Sequence, residues 1–226
     1  MTFPASRFII VTGTDTGVGK TVTTAALAVA CEARGMTVAM VKPVQTGTLT
    51  DEPSDIEEVT RLTGLTSVHE LVRLGPPLAP VAAARLEGVV LPLVDQHIPR
   101  IRDIDADVVL IEGAGGLLVH LDGIDRTILD LAFDLDPEFV VVGSEGLGSL
   151  NHFALTVEHL RANGFEPHLV IGSCAPDPPL VAISNRLDLP RITGLRIEGR
   201  IPEGAGTLSR EEFRAQAPSW FTFLWQ

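Results

Sequence analysis

Apolar residues fall in short runs separated by glycine-, proline- and acid-rich breaks, and two spacings alternate along the chain. Phe8–Thr12 is a continuous apolar run, the pattern of a strand covered on both faces. Thr21–Arg34 has the alanine-rich periodicity of a helix and stops at Gly35. Thr37–Val41 reads as the next strand. Ser54 and Glu57 stand at capping-box spacing and open a helix running to about Leu62. Gly75–Pro80 is a loop, with Val81–Glu87 and Leu93–Arg102 helical beyond it. Val108–Ile111 is a buried strand that ends at Glu112. Phe139–Gly143 and His168–Gly172 are further strands, with a helix from Ser149 to Ala162 between them. Pro176–Pro179 is a loop and Leu195–Ile201 the last strand. Strands alternating with helices predict an α/β fold: a single domain over residues 1–226 with a mostly parallel sheet flanked by helices.

Composition narrows the partners. A hydrophobic fraction of 45% is ample for a sizeable core, and a net charge of −12 argues against nucleic acid and anionic membrane. No apolar stretch reaches the roughly 18 residues of a membrane-spanning helix, and the first apolar run is too short for a signal peptide. Cys31 and Cys174, the first in a predicted helix and the second after a predicted strand, suit a reducing compartment. Cytoplasm is the expected location.

Lysine is the informative residue. Only two stand in 226 positions, against fifteen arginines. Lys20 closes Gly13–Thr21, a glycine-rich turn between a strand and a helix. Glycines let backbone N–H groups wrap phosphate oxygens, and the helix N-terminus adds a favourable dipole. Gly13, Thr14, Gly17, Val18 and Gly19 form the cradle; Lys20 reaches the β- and γ-phosphates and the Thr21 hydroxyl ligates Mg²⁺. Five residues separate Gly13 from Gly19, one more than in the usual P-loop spacing. With only two lysines, no Asn-Lys-x-Asp guanine-reading motif exists, so a GTPase is disfavoured.

Lys42 follows a strand and should emerge at the carboxyl end of the sheet, where open α/β sheets bind ligands and where the phosphate loop also lies. Glu112 ends a strand at the same edge and precedes Gly113–Gly116, the place for a metal-binding acid. Asp55 is a second candidate acid for Mg²⁺; Asp51 and Glu52 read as a solvated loop.

Gly13–Thr21, Lys42–Gly47, Glu112–Gly116 and Gly146–His152, in this order from about Phe8 to Leu208, resemble the dethiobiotin synthetase family. The resemblance implies a P-loop ligase that takes 7,8-diaminononanoate, CO₂ (or bicarbonate) and ATP with Mg²⁺, and closes a cyclic urea through a carbamate and a carbamic–phosphoric anhydride. It implies that Lys42 bridges carbamate and γ-phosphate, with Lys20 and Thr16 also catalytic. Thr16 and Thr46 would line the substrate site, and Thr21, Asp55 and Glu112 would hold Mg²⁺. Pro77, Leu78, Ala79 and Gly116 would border the diamine chain. Leu147, Gly148 and Asn151 would reach into the other subunit of a homodimer and receive the substrate carboxylate. Gly172–Pro176 and Pro202, Glu203, Gly204 and Ala205 align with segments that embrace the nucleobase. Many family members carry glutamate where this chain has Gly17, which leaves the nucleotide open between ATP and CTP or another triphosphate. Three other readings compete. A partitioning-type P-loop ATPase acting through protein partners would carry an early loop lysine where this chain has Asp15. A corrinoid amidoligase usually adds a glutaminase domain. A non-catalytic scaffold would not need Lys20, Thr21, Lys42 and Glu112. The stretch from Ser209 to Gln226 lacks a motif, and Trp220 and Trp225 read as packing residues.

Overall fold

The computed structural model describes residues 7–49 and 53–222. Asp51, Glu52 and Trp225 lie outside these described residues. Seven strands, β1 (Arg7–Gly13), β2 (Val38–Lys42), β3 (Val68–Glu70), β4 (Val108–Gly116), β5 (Glu138–Gly143), β6 (His168–Cys174) and β7 (Ile197–Pro202), form one sheet in the order β3-β2-β4-β1-β5-β6-β7. Every pairing between these strands is parallel. The helices are α1 (Lys20–Glu32), α2 (Asp55–Thr63), α3 (Pro80–Glu87), α4 (Ile98–Arg102), α5 (Ile128–Leu135), α6 (Ser149–Ala162), α7 (Leu180–Thr193) and α8 (Arg210–Gln216).

Alternation along the strands divides the core. Ile10, Val41, Val109 and Ile111 join one cluster with α3, α4, α5 and α6. Ile9, Val11, Met40 and Leu110 join the other with α1, α2 and α8. Both faces of the sheet are thus covered, which is why the central strands read as unbroken apolar runs. The chain leaves β1 toward β2 on one side and leaves β4 toward β5 on the other. The reversal falls beside the carboxyl end of β1, where such sheets open a binding crevice.

The strands run longer at their carboxyl ends than the apolar pattern predicts. β4 continues through Glu112 to Gly116, so the glycines are strand rather than loop. Cys174 is the last residue of β6, not beyond it. Pro80 is the first helical residue of α3, where its missing N–H has no partner to lose. Leu93–Arg102 divides into a 3₁₀ turn at Val94–His97 and the short α4. β3, α5, α7 and α8 are elements the pattern does not predict. Trp220 packs edge-on against Phe213 with ring centroids 5.2 Å apart, a core role as expected.

Candidate active site

Three chain segments converge beyond the carboxyl ends of β1, β2 and β4. The turn from β1 to α1 is shaped by glycine: Gly17 and Gly19 have φ of 72° and 95°, a left-handed backbone that other residues resist. β6 passes so close that a Cβ on Gly172 would lie 1.9 Å from the Val18 carbonyl oxygen. Gly172 therefore braces the phosphate loop. Lys20 folds back within its own turn and donates to the Asp15 carbonyl at 2.9 Å. Burial holds its pKa below the usual value, with the Glu112 charge opposing and the Lys42 charge assisting.

Lys42 ends β2 and is only 3% exposed. Its ammonium donates to Glu112 Oε1 at 3.0 Å and to the Gly113 carbonyl at 2.9 Å, and pairs with Asp55. Those contacts engage all three of its N–H donors. Burial alone would lower the Lys42 pKa, but the charges of Glu112 and Asp55 outweigh it and hold it above the ordinary lysine value. Asp55 is likewise desolvated, yet Lys42 pulls its carboxyl below the usual range. Glu112, fully buried, goes the other way. Burial raises its pKa, the Asp55 charge adds to that, and Lys42 only partly offsets it.

Thr21 completes the cluster. Its hydroxyl lies 2.9 Å from Asp55 Oδ1 and 3.0 Å from Glu112 Oε1. Asp55 is placed by the start of α2. Ser54 Oγ accepts the Glu57 N–H, and the Glu57 carboxylate accepts the Ser54 N–H at 2.8 Å, the capping box that the sequence predicts. Gln45, to which the sequence reading assigned no role, accepts the Asp55 N–H at 3.1 Å. Its signal was its place inside Lys42–Gly47. Glu112 Oε2 is buried with no hydrogen bond of its own; nearby Thr24 already donates to the Lys20 carbonyl at 3.0 Å. One hydroxyl and two carboxylates, one of them with an orphaned oxygen, form a hard-oxygen set of the kind Mg²⁺ takes. Among the described residues no trio of His, Cys, Asp or Glu makes a cage by itself.

A crevice of about 800 Å³ runs past this cluster. Of the residues predicted for the site it is lined by Thr16, Gly17, Gly19, Lys20, Thr21, Lys42, Thr46, Asp55, Pro77, Leu78, Ala79 and Glu112. Gly13, Thr14 and Val18 do not line it. Gly116 pairs with Gly13 across the sheet, while Ala114 and Gly115 face the crevice in its stead. The two segments expected to embrace the nucleobase meet each other: the Glu203 N–H donates to the Cys174 carbonyl at 2.9 Å. Leu147, Gly148 and Asn151 do not line this crevice; Leu147 is 92% exposed at the entry to α6.

A parallel sheet whose first strand runs through a glycine-lysine-threonine turn into a helix, with a buried acid on β4 and a second at the start of α2 beside that turn, defines a P-loop nucleotide-hydrolysing fold. A family model described as an AAA domain matches residues 7–209. Two solved structures share the fold. The septum site-determining protein MinD of Pyrococcus horikoshii has a TM-score of 0.60 at 16% identity, over 94% of this chain and 90% of that one. A ParA family ATPase of Chlorobium tepidum has 0.54 at 12%, over 94% and 98%. Sequence relatives are far nearer. The ATP-dependent dethiobiotin synthetase BioD of Rhodococcus jostii is 46% identical over 96% of this chain and 95% of its own. That of Rhodococcus erythropolis is 49% identical over 92% and 93%, and that of Mycobacterium leprae (strain TN) 45% over 96% of each. The chain belongs to the dethiobiotin synthetase family, a family of ATP-dependent ligases. Its likeness to the partitioning and septum proteins is one of fold alone.

Proposed function

We propose that this ligase makes dethiobiotin in the crevice between the phosphate loop and Lys42, with Lys42 holding a carbamate against the γ-phosphate. One amine of 7,8-diaminononanoate adds to CO₂, forming a C–N bond and losing a proton to give the carbamate. A carbamate oxygen then takes the γ-phosphoryl group, and ADP leaves. The second amine attacks the anhydride carbon, the ring closes and inorganic phosphate departs. The hard part is bringing two anions together, and fixed positive charge in a buried site is worth most there.

The observation that carries this reading is the raised, buried ammonium of Lys42 at the junction of the phosphate loop and the acid cluster. Its three donors are engaged within the protein, so substrate must displace at least one of them. Asp55 and Glu112 are the partners to give way, because with Thr21 they would hold Mg²⁺. When bound there, Mg²⁺ would neutralise charge on the β- and γ-phosphate oxygens. Lys20 would exchange the Asp15 carbonyl for phosphate. Thr16 and Thr46 line the crevice beside Lys42, and Pro77, Leu78 and Ala79 form an apolar wall suited to the alkyl chain. Leu147, Gly148 and Asn151 face away and would serve the partner's crevice in a homodimer. Exposed Leu155, Leu180, Ile183 and Leu187 extend an apolar face over α6 and α7, which supports that assembly. Backbone groups at Cys174–Pro176 and Pro202–Ala205 would admit ATP, CTP or another triphosphate. Two free thiols suit a reducing cytoplasm.

The test is direct. The protein is incubated with diaminononanoate, bicarbonate, Mg²⁺ and ATP, and dethiobiotin is sought by mass; no product with any nucleoside triphosphate sinks the reading. Lys42→Ala should lower kcat by roughly 10²–10³-fold, the scale of one preorganised electrostatic donor, with the circular dichroism spectrum unchanged. Near-normal turnover in that variant would remove Lys42 from its role.

A further inference from the structure

Glu145 is a buried acid outside the crevice, in the turn between β5 and α6. Its two oxygens face two different elements. Oε1 accepts the N–H of Ala175, in the nucleobase segment, at 3.3 Å. Oε2 accepts from Arg186 Nε, on α7, at 2.6 Å. The neighbouring Asn185 places its Nδ2 3.0 Å from the Glu145 carbonyl, 2.8 Å from the Gly146 carbonyl and 3.1 Å from Ser149 Oγ. Ser149 Oγ in turn donates to the Gly146 carbonyl at 2.8 Å. Consecutive residues of one helix thus grip both ends of the turn that presents Leu147 and Gly148, and the same carboxylate holds Ala175.

The path of the chain explains the arrangement. The segment Gly172–Pro176 runs through Pro179 straight into α7, and α7 lies alongside α6. Nothing in local backbone geometry requires the two turns to be linked. They are linked by the Glu145 carboxylate, which accepts the Ala175 N–H and forms with Arg186 of α7 an ion pair whose side chains are only 10% and 19% exposed, where charge-assisted hydrogen bonds are short and strong.

We propose that Glu145, Asn185 and Arg186 form a positioning brace that sets the nucleobase segment and the carboxylate-receiving turn together. The proposal rests on the functional reading above, in which Ala175 borders the nucleotide of its own subunit and the Leu147–Asn151 segment meets the diamine of the partner. None of the three side chains lines the crevice. Their loss therefore acts on binding at both sites and leaves the chemical step alone.

The experiment is steady-state dethiobiotin formation with nucleotide and diaminononanoate each varied, for wild type, Arg186→Ala, Asn185→Ala and Arg186→Lys. In both alanine variants both KM values should rise about ten-fold, the effect of losing one charge-assisted or doubly shared hydrogen bond, with kcat within about three-fold. Arg186→Lys, which keeps the charge beside Glu145, should recover part of both. A merely structural role predicts a lower unfolding midpoint and a lower active fraction with both KM values unchanged. That result, or a rise in only one KM, overturns the brace. A wild-type protein that forms no dethiobiotin overturns the functional reading, and the brace with it. An active wild type with unmoved variants overturns the brace alone.

Discussion

Lys42 and Gly172 mark the limits of what a single residue reveals. The charge of Lys42 and its place after an apolar run point to a ligand site from the sequence alone. Its partners do not follow from that: Glu112 lies 70 positions away and reaches Lys42 only because β2 and β4 are neighbours. Gly172 reads in sequence as part of a nucleobase segment, whereas in the fold its missing side chain lets β6 touch Val18 and Gly19. Gly172→Ala should therefore cost stability by about 1–3 kcal/mol, the range for forcing a methyl into a filled space, and weaken ATP binding by titration calorimetry. Gly123 is the control, because a Cβ there meets nothing within 4 Å and its φ is not left-handed. Gly123→Ala should change the unfolding free energy by less than about 0.5 kcal/mol. Equal behaviour of the two variants would count against the close approach.

Elements buried on both faces were the legible ones. β1, β2, β4, β5 and β6 carry runs with no polar interruption, and the capping box of α2 sits where Ser54 and Glu57 predict it. α7 escaped because Leu180, Ile183 and Leu187 are exposed while Ala182 and Leu189 are buried, so apolar residues fall on both sides and blur the helical period. α5 is a short, mostly apolar run broken only by Asp130 and Asp134, and it is the capping box of Thr127 and Asp130 that marks its start. β3 is three residues long, too short for any pattern. At the amino-terminal edge of the sheet His168 of β6 stands between Glu138 of β5 and Glu198 of β7, with Nδ1 2.6 Å from Glu198. Burial alone would lower its pKa; hydrogen bonds and charge from both glutamates outweigh this and raise it. A raised folded pKa stabilises the protein fully below the unfolded value of about 6.5, and that contribution fades as pH climbs through the folded value. Urea midpoints measured from pH 6 to 9 should fall over this window in wild type and fall less in His168→Gln. Parallel curves for the two proteins would exclude the pair from the pH dependence.

For the molecule as a whole, the proposed homodimer would bury the exposed apolar residues of α6 and α7 and the outward Leu147. Leu180→Glu with Leu187→Glu should halve the mass seen by sedimentation and lower kcat/KM for diaminononanoate by at least about ten-fold, while ATP binding persists. A variant that stays dimeric and fully active would remove this face from the interface. The sequence by itself determined the alternating α/β plan, the phosphate loop, both lysines and the acid that follows the apolar run of β4, because burial on two faces and phosphate binding impose local patterns that survive without neighbours. Only the tertiary structure decided which acids meet Lys42, which oxygen of Glu112 is left unpaired, that Gln45 steadies Asp55, and that α7 ties two turns through Glu145. Those contacts join positions 10 to 91 residues apart, and strand order and helix placement alone bring such positions within bonding distance.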